Sequence, residues 1–335
     1  MRIEFKDDAK WLSKFKIDVT SNSNKLYNNG NQQVKVTVSL TPIKGQEITN
    51  QQMDSIWIFL IKDGSDYRDL GGGFGQGAGR SEWANNNNAE PEDFFRVSLK
   101  KNTQFEYYAA SGFAPHNLLE SAARSRDFYI STLAHGGERY KIYAAIMKEE
   151  GVQYATSTSR FNSHVELETV SSPRRRRTDF TLERVHAFEG STDNEKTAVD
   201  IDVYYLQFAE RTLRVVHAVP LDGDQSTYYY DDWKNADPLF SLTGIHYNET
   251  QFHYGFKPGA ARDFSYQNVS VAINTRPGAM SFLRMELIGP AGLAPDAPAY
   301  GPKRWIVFDQ YGNWHGIEMT QKNSGNEIDF IMHDM

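Results

Sequence analysis

Along most of this chain hydrophobic and polar residues alternate with a period of two. Val34, Val36, Val38 and Leu40 alternate with Lys35, Thr37 and Ser39, the pattern of a strand with one buried face. The period recurs at Phe15, Ile17 and Val19, at Phe95, Val97 and Leu99, and at Val165, Leu167 and Thr169. It returns at Val199, Ile201 and Val203, at Val269, Val271 and Ile273, and from Phe282 to Ile288. Turn formers separate these runs, among them Asn28-Asn29-Gly30-Asn31, Lys62-Asp63-Gly64, Arg276-Pro277-Gly278 and Tyr311-Gly312-Asn313. Lys141 to Thr156, centred on Lys148-Glu149-Glu150-Gly151, predicts a hairpin. Helical periodicity is scarce: Asn117–Asp127 predicts one short helix, and Asp231–Ala236 a single turn. Many short strands with Gly- and Asn-rich turns predict an all-β fold of the β-sandwich class.

Ser171-Ser172-Pro173 and the basic run Arg174–Arg177 stand near the midpoint, with the composition of a linker. The charge balance shifts there, from 20 basic and 21 acidic residues in 1–173 to 12 and 22 in 178–335. The expected organisation is therefore two immunoglobulin-like β-sandwich domains, 1–172 and an acidic 178–335, joined by a Pro/Arg-rich linker. An exposed Arg run is also an expected site of proteolysis.

Composition narrows the chemistry. The chain has 335 residues, 39% hydrophobic and 13% aromatic, enough to build cores and to exclude wholesale disorder. It has no cysteine, which excludes disulfides, thiolate metal sites and thiol nucleophiles. A net charge of -7 argues against a nucleic-acid partner, because phosphate neutralisation needs clustered Lys and Arg. The N-terminus is charged and carries no secretory apolar core, and the run Ile56–Ile61 is too short to span a bilayer. The expectation is no transmembrane helix, and a cytoplasmic location or export by a route independent of a signal peptide.

Two long stretches interrupt the β pattern, and such stretches are usually functional or disordered. Gly71–Asn88 carries six Gly, Trp83 and four consecutive Asn; it lacks the Gly-Lys-Ser/Thr ending of a phosphate loop and reads as permissive surface backbone. Pro220–Thr243 is acidic and tyrosine-rich. Within it Asp222, Asp224, Asp231 and Asp232 supply the hard oxygens that Ca²⁺ takes, although Thr227 and Trp233 stand where an EF-hand needs Gly and Glu. Ca²⁺ at these four residues is the one metal expected; no other cofactor is. His246, Glu249 and His253 share a face only on a helix, and their neighbours favour a strand. No nucleophile elbow, zinc-protease helix or dinucleotide fingerprint is present, so no catalytic residue is assigned. The expected ligand-binding residues are aromatic and Asn side chains outside strands: Trp83, Asn85, Asn86, Tyr228, Tyr229, Tyr230, Trp233 and Trp314. Rings stack and short polar groups hydrogen-bond, which is the surface chemistry of sugar and protein recognition.

The segment Trp305–Asn313, which ends Asp309-Gln310-Tyr311-Gly312-Asn313, resembles a turn of bacterial immunoglobulin-like repeats of invasin type, in which a strand ends in Asp-x-Tyr-Gly-Asn. The stretch Tyr140–Val170 also looks immunoglobulin-like. The resemblance implies an immunoglobulin-like fold. The loops, the Arg run and the strand pattern, and not the resemblance, suggest three functions in order. The first is a non-catalytic bacterial recognition protein whose partner is a glycan or protein surface. The second is a secreted toxin, pore-forming and insecticidal in type, activated at the Arg run. Its motivation is the amphipathic Phe264–Ile288 region, which reads as a membrane hairpin and would make a membrane the partner. The third is a polysaccharide hydrolase using loop carboxylates.

Overall fold

The computed structural model describes residues 4–8, 10–62, 66–71, 94–109, 124–191, 198–221, 228–231, 239–241, 244–266, 268–290, 304–323 and 327–333. It is almost entirely β. By its contacts the chain divides into two compact units, residues 1–173 with Tyr311–Asn313, and residues 174–310 with 314–335.

The first unit contains β1 (Leu12–Val19), β2 (Lys25–Tyr27), β3 (Val34–Pro42), α1 (Asn50–Asp54), β4 (Trp57–Lys62) and β5 (Asp66–Gly71). It continues with β6 (Phe95–Ser98), β7 (Arg124–Thr132), β8 (Arg139–Glu149), β9 (Val152–Ala155) and β10 (Val165–Val170). One sheet has the order β1-β3-β7-β6, and the other β2-β10-β8-β4-β5 with β9 also paired to β8. The inward positions of the expected alternation, such as Phe15, Ile17, Val36 and Val38 from one sheet and Ile142, Ala144, Val165 and Leu167 from the other, form one buried core. This is a β-sandwich. The unbroken apolar run of β4 is explained by cover on both faces. Ile58 and Leu60 enter the main core, while Phe59 lies in a second cluster with Phe5, Tyr67 and Tyr143.

The short helix differs from the one expected. Arg124–Asp127 belongs to strand β7, and the rest of the Asn117–Asp127 segment lies outside the described residues. Among the described residues the α-helix is α1, fixed by a reciprocal cap: the Gln52 backbone N–H donates to Thr49 Oγ1 and the Thr49 N–H to Gln52 Oε1.

The second unit contains β11 (Phe180–Ser191), β12 (Ala198–Phe208), β13 (Val215–Pro220), β14 (Tyr228–Asp231), β15 (Leu239–Ser241) and β16 (Gly244–Phe256). It closes with β17 (Arg262–Tyr266), β18 (Val269–Ile273), β19 (Met280–Pro290), β20 (Arg304–Asp309), β21 (Trp314–Lys322) and β22 (Glu327–Met332). Three antiparallel sheets result: a larger one of order β11-β12-β19-β16-β14 with β15 on β16, a second of order β13-β20-β21-β22, and the hairpin β17-β18. The larger sheet is covered on both faces. Tyr204, Leu206, Phe208 and Phe282 pack with Trp305, Val307, Ile317 and Met319 of the second sheet. Val199, Ile201, Val203 and Leu283 pack on the other side with Val269, Val271 and Ile273 of the hairpin. The apolar face of the amphipathic hairpin is thus buried against its own unit.

Arg174–Arg177 is not a free solvated run. The Arg177 guanidinium stacks 3.8 Å from the centre of the Phe330 ring, and its Nη2 lies 2.9 Å from Asp329 Oδ1. Arg175 lies 3.7 Å from Glu210. Among the described residues no helix is long and apolar enough to cross a membrane.

Candidate functional site

Of the residues singled out in the sequence, Trp83, Asn85, Asn86, Trp233, Asp222, Asp224 and Asp232 lie outside the described residues. Tyr228, Tyr229, Tyr230 and Asp231, expected in a loop, form strand β14 and pair with Gly255, Tyr254, His253 and Phe252 of β16. Trp314, also expected outside strands, is the first residue of β21. His246 and His253 both lie on strand β16, not on a helix.

Two surfaces of the second unit carry chemistry. The first is the outer face of the four-stranded sheet. On β20, Trp305, Val307 and Asp309 point inward, so Arg304, Ile306 and Phe308 point outward. The same parity turns Trp314 outward and buries His315, Ile317 and Met319. Register then aligns a row across three strands: His217 opposite Phe308, and Phe308 opposite Trp314. The His217 and Phe308 rings lie 5.4 Å apart, and Trp314 is 44% exposed. Burial, aided by Lys257, pushes the His217 imidazole below its ordinary range, so it is neutral at neutral pH. The next row is Val219, Ile306 and Gly316, and the row beyond it sets Arg304 opposite Glu318 and Glu318 opposite Ile331, which is 51% exposed. An uncharged aromatic row is therefore flanked by one acid and one base.

The second surface is a charged cluster on the face of the larger sheet that also carries Tyr204 and Phe282. Asp200 and Asp202 of β12 lie opposite Glu286 and Arg284 of β19. Arg284 Nη1 reaches Asp200 Oδ2 at 2.8 Å and Asp202 Oδ2 at 3.1 Å, and its Nη2 bonds Glu286. Burial opposes the charge of Arg284, but the Asp200 and Glu286 carboxylates outweigh it and hold the guanidinium above its ordinary value. Arg184 of β11 adds a contact of 2.7 Å to Asp202 Oδ2, which raises its own value likewise.

On the neighbouring strand β11 the register shifts between His186 and Phe188. That bulge sends Phe188 to the hairpin-side core and leaves His186 and Glu189 on the charged face, with Nε2 3.9 Å from Glu189 Oε2. His186 Nδ1 then lies 3.4 Å from Asp200 Oδ1 and 3.5 Å from Asp202 Oδ1.

The sequence reading missed this cluster. A signal was present: β12 reads apolar at both parities from Val203 to Leu206, the mark of a strand covered on both faces, so Asp200 and Asp202 could not both be routine solvent residues. Which residues face them depends on pairing between distant strands.

The chain matches no family model and no curated protein.

Proposed function

We propose that this chain is a non-catalytic recognition protein and that its ligand is a glycan. The observation that supports this reading is the cross-strand row His217–Phe308–Trp314 on the outer face of the four-stranded sheet. A row of uncharged rings offers a surface for the apolar face of a sugar ring, and stacking needs an exposed ring. Trp314 supplies that ring. Arg304 and Glu318 on the same face offer a donor and an acceptor for sugar hydroxyls. A sheet face holds these groups more rigidly than a loop and lowers the ordering cost of binding.

The test is a glycan array with the intact chain, followed by titration of the best hit against Trp314→Ala. The substitution sits on an exposed ring, so the fold survives it, and affinity is expected to fall about tenfold. Unchanged affinity in Trp314→Ala would move the site elsewhere. A blank array beside saturable binding to a protein would replace the sugar with a protein surface.

A further inference from the structure

We propose that His186, Asp200 and Asp202 form a binding site for one divalent transition-metal ion of the Zn²⁺ class, a role independent of sugar recognition. The three ligand atoms converge. Nδ1 stands 3.4 and 3.5 Å from the two carboxylate Oδ1 atoms, and each residue offers a ligand atom within 4.8 Å of one from each of the others. Ligands about 2.0–2.1 Å from a tetrahedral ion stand about 3.3–3.4 Å apart, which the two nitrogen–oxygen separations already match.

The carboxylate oxygens supply the second, independent observation. Asp202 is fully buried at 0% exposure, yet its Oδ1 has no hydrogen-bond partner, and neither has Asp200 Oδ1. Buried carboxylate oxygens are rarely left without a partner, because each has lost its water. Both orphan atoms are aimed at the His186 nitrogen. The other oxygen of each carboxylate is held by Arg284, and that of Asp202 by Arg184 as well. This is how an outer shell orients ligating carboxylates: one oxygen is fixed by a donor and the other is presented.

Charge and access agree with the geometry. Three carboxylates of Asp200, Asp202 and Glu286 face two guanidiniums, which leaves one negative charge before His186 is counted. A divalent cation is attracted to that excess. Glu189 lies on the Nε2 side of the imidazole, away from the ligating Nδ1. The His186 side chain is 54% exposed, so an ion enters from solvent and keeps open positions for water or an anionic ligand. An imidazole among the ligands selects a Zn²⁺-like ion over Ca²⁺ or Mg²⁺, which prefer all-oxygen sets.

The experiment strips the intact chain with a chelator, then titrates Zn²⁺ by calorimetry and Co²⁺ by visible absorption. One ion per chain is expected. His186→Ala and Asp200→Asn should each weaken binding about 100-fold or more and alter the Co²⁺ spectrum, while circular dichroism stays unchanged. His164→Ala, in the first unit, should bind as the unsubstituted chain does. Absence of Zn²⁺ and Co²⁺ binding at micromolar protein, or full binding by a folded His186→Ala chain, would overturn the assignment.

Discussion

Arg284 stands directly opposite Asp202 in the pairing of β19 with β12, and the two side chains are 1% and 0% exposed. A guanidinium held out of water is tolerated only where carboxylates replace its hydration, and here Asp200, Asp202 and Glu286 do so. Truncating it removes the cation shared by three carboxylates and leaves Arg184 on Asp202 alone. Arg284→Ala is therefore expected to destabilise the second unit by about 3–5 kcal/mol in urea unfolding. A loss below about 1 kcal/mol would show that the acids do not depend on this cation.

Close packing beside the same face makes a second position intolerant. Gly255 on β16 pairs with Phe282, and a Cβ placed there would meet Trp305 Cζ2 at 2.6 Å and Phe282 Cε1 at 3.1 Å. Both rings are buried and cannot yield without repacking the core between the two sheets. Gly255→Ala should cost about 1–3 kcal/mol by thermal or urea unfolding. Gly259→Ala, whose nearest neighbour would be Asn274 Nδ2 at 3.9 Å, is the matched control and should unfold as the parent does.

The strands were the most legible part of this fold, and the reason is local. Where one face of a strand is buried, every second residue reports it, as at Val34–Leu40 and Val165–Thr169. The end of the expected helix is strand: NLLESAARSRD offers good helix formers, but Arg124–Asp127 lie in β7, where Phe128 and Ile130 continue as an alternating strand. The α-helix among the described residues is five residues long, too short for periodicity, and its signature is Thr49 followed three residues later by Gln52. Trp314 was legible as an exposed ring; its partners His217 and Phe308 were not, since they come from other strands and only register aligns them. The same holds for His186, Asp200, Asp202 and Arg284, drawn from three strands and brought into phase by a bulge that no composition announces.

The Arg run shows how a local reading can be reversed by a distant partner. Four consecutive arginines read as exposed and cleavable, but Arg177 is held by Phe330 and Asp329, whereas Arg174 and Arg176 are exposed. A protease must withdraw the arginine side chain to seat it. Brief tryptic digestion of the native chain, read by mass spectrometry, should show cuts within the run after Arg174 or Arg176 before any after Arg177. Asp329→Ala should bring the Arg177 cut forward. A first cut after Arg177 in the parent chain would mean that the stack does not restrain it.

His315 gives the second unit an acid limit. Its ring is 4% exposed and meets Phe180 and Phe208 edge-on, with centroids 5.7 and 5.6 Å away. Burial, reinforced by Arg175 and opposed by Asp179, pushes its pKa down to about 4 from an ordinary 6.5. The unfolded chain therefore takes up this proton near pH 6.5 and the folded chain only near pH 4. The stability tied to the neutral ring is complete above the unfolded value and is lost as pH falls from about 6.5 to about 4. The full loss is about 3 kcal/mol, on the scale of 1.36 kcal/mol per pKa unit. Urea unfolding at pH 7.5, 6, 5 and 4.5 should show that decline. His315→Leu, which keeps an apolar side chain against the two Phe rings and removes the titration, should flatten the curve below pH 6.5 relative to the parent. An equally steep decline in His315→Leu would assign the acid sensitivity to other groups.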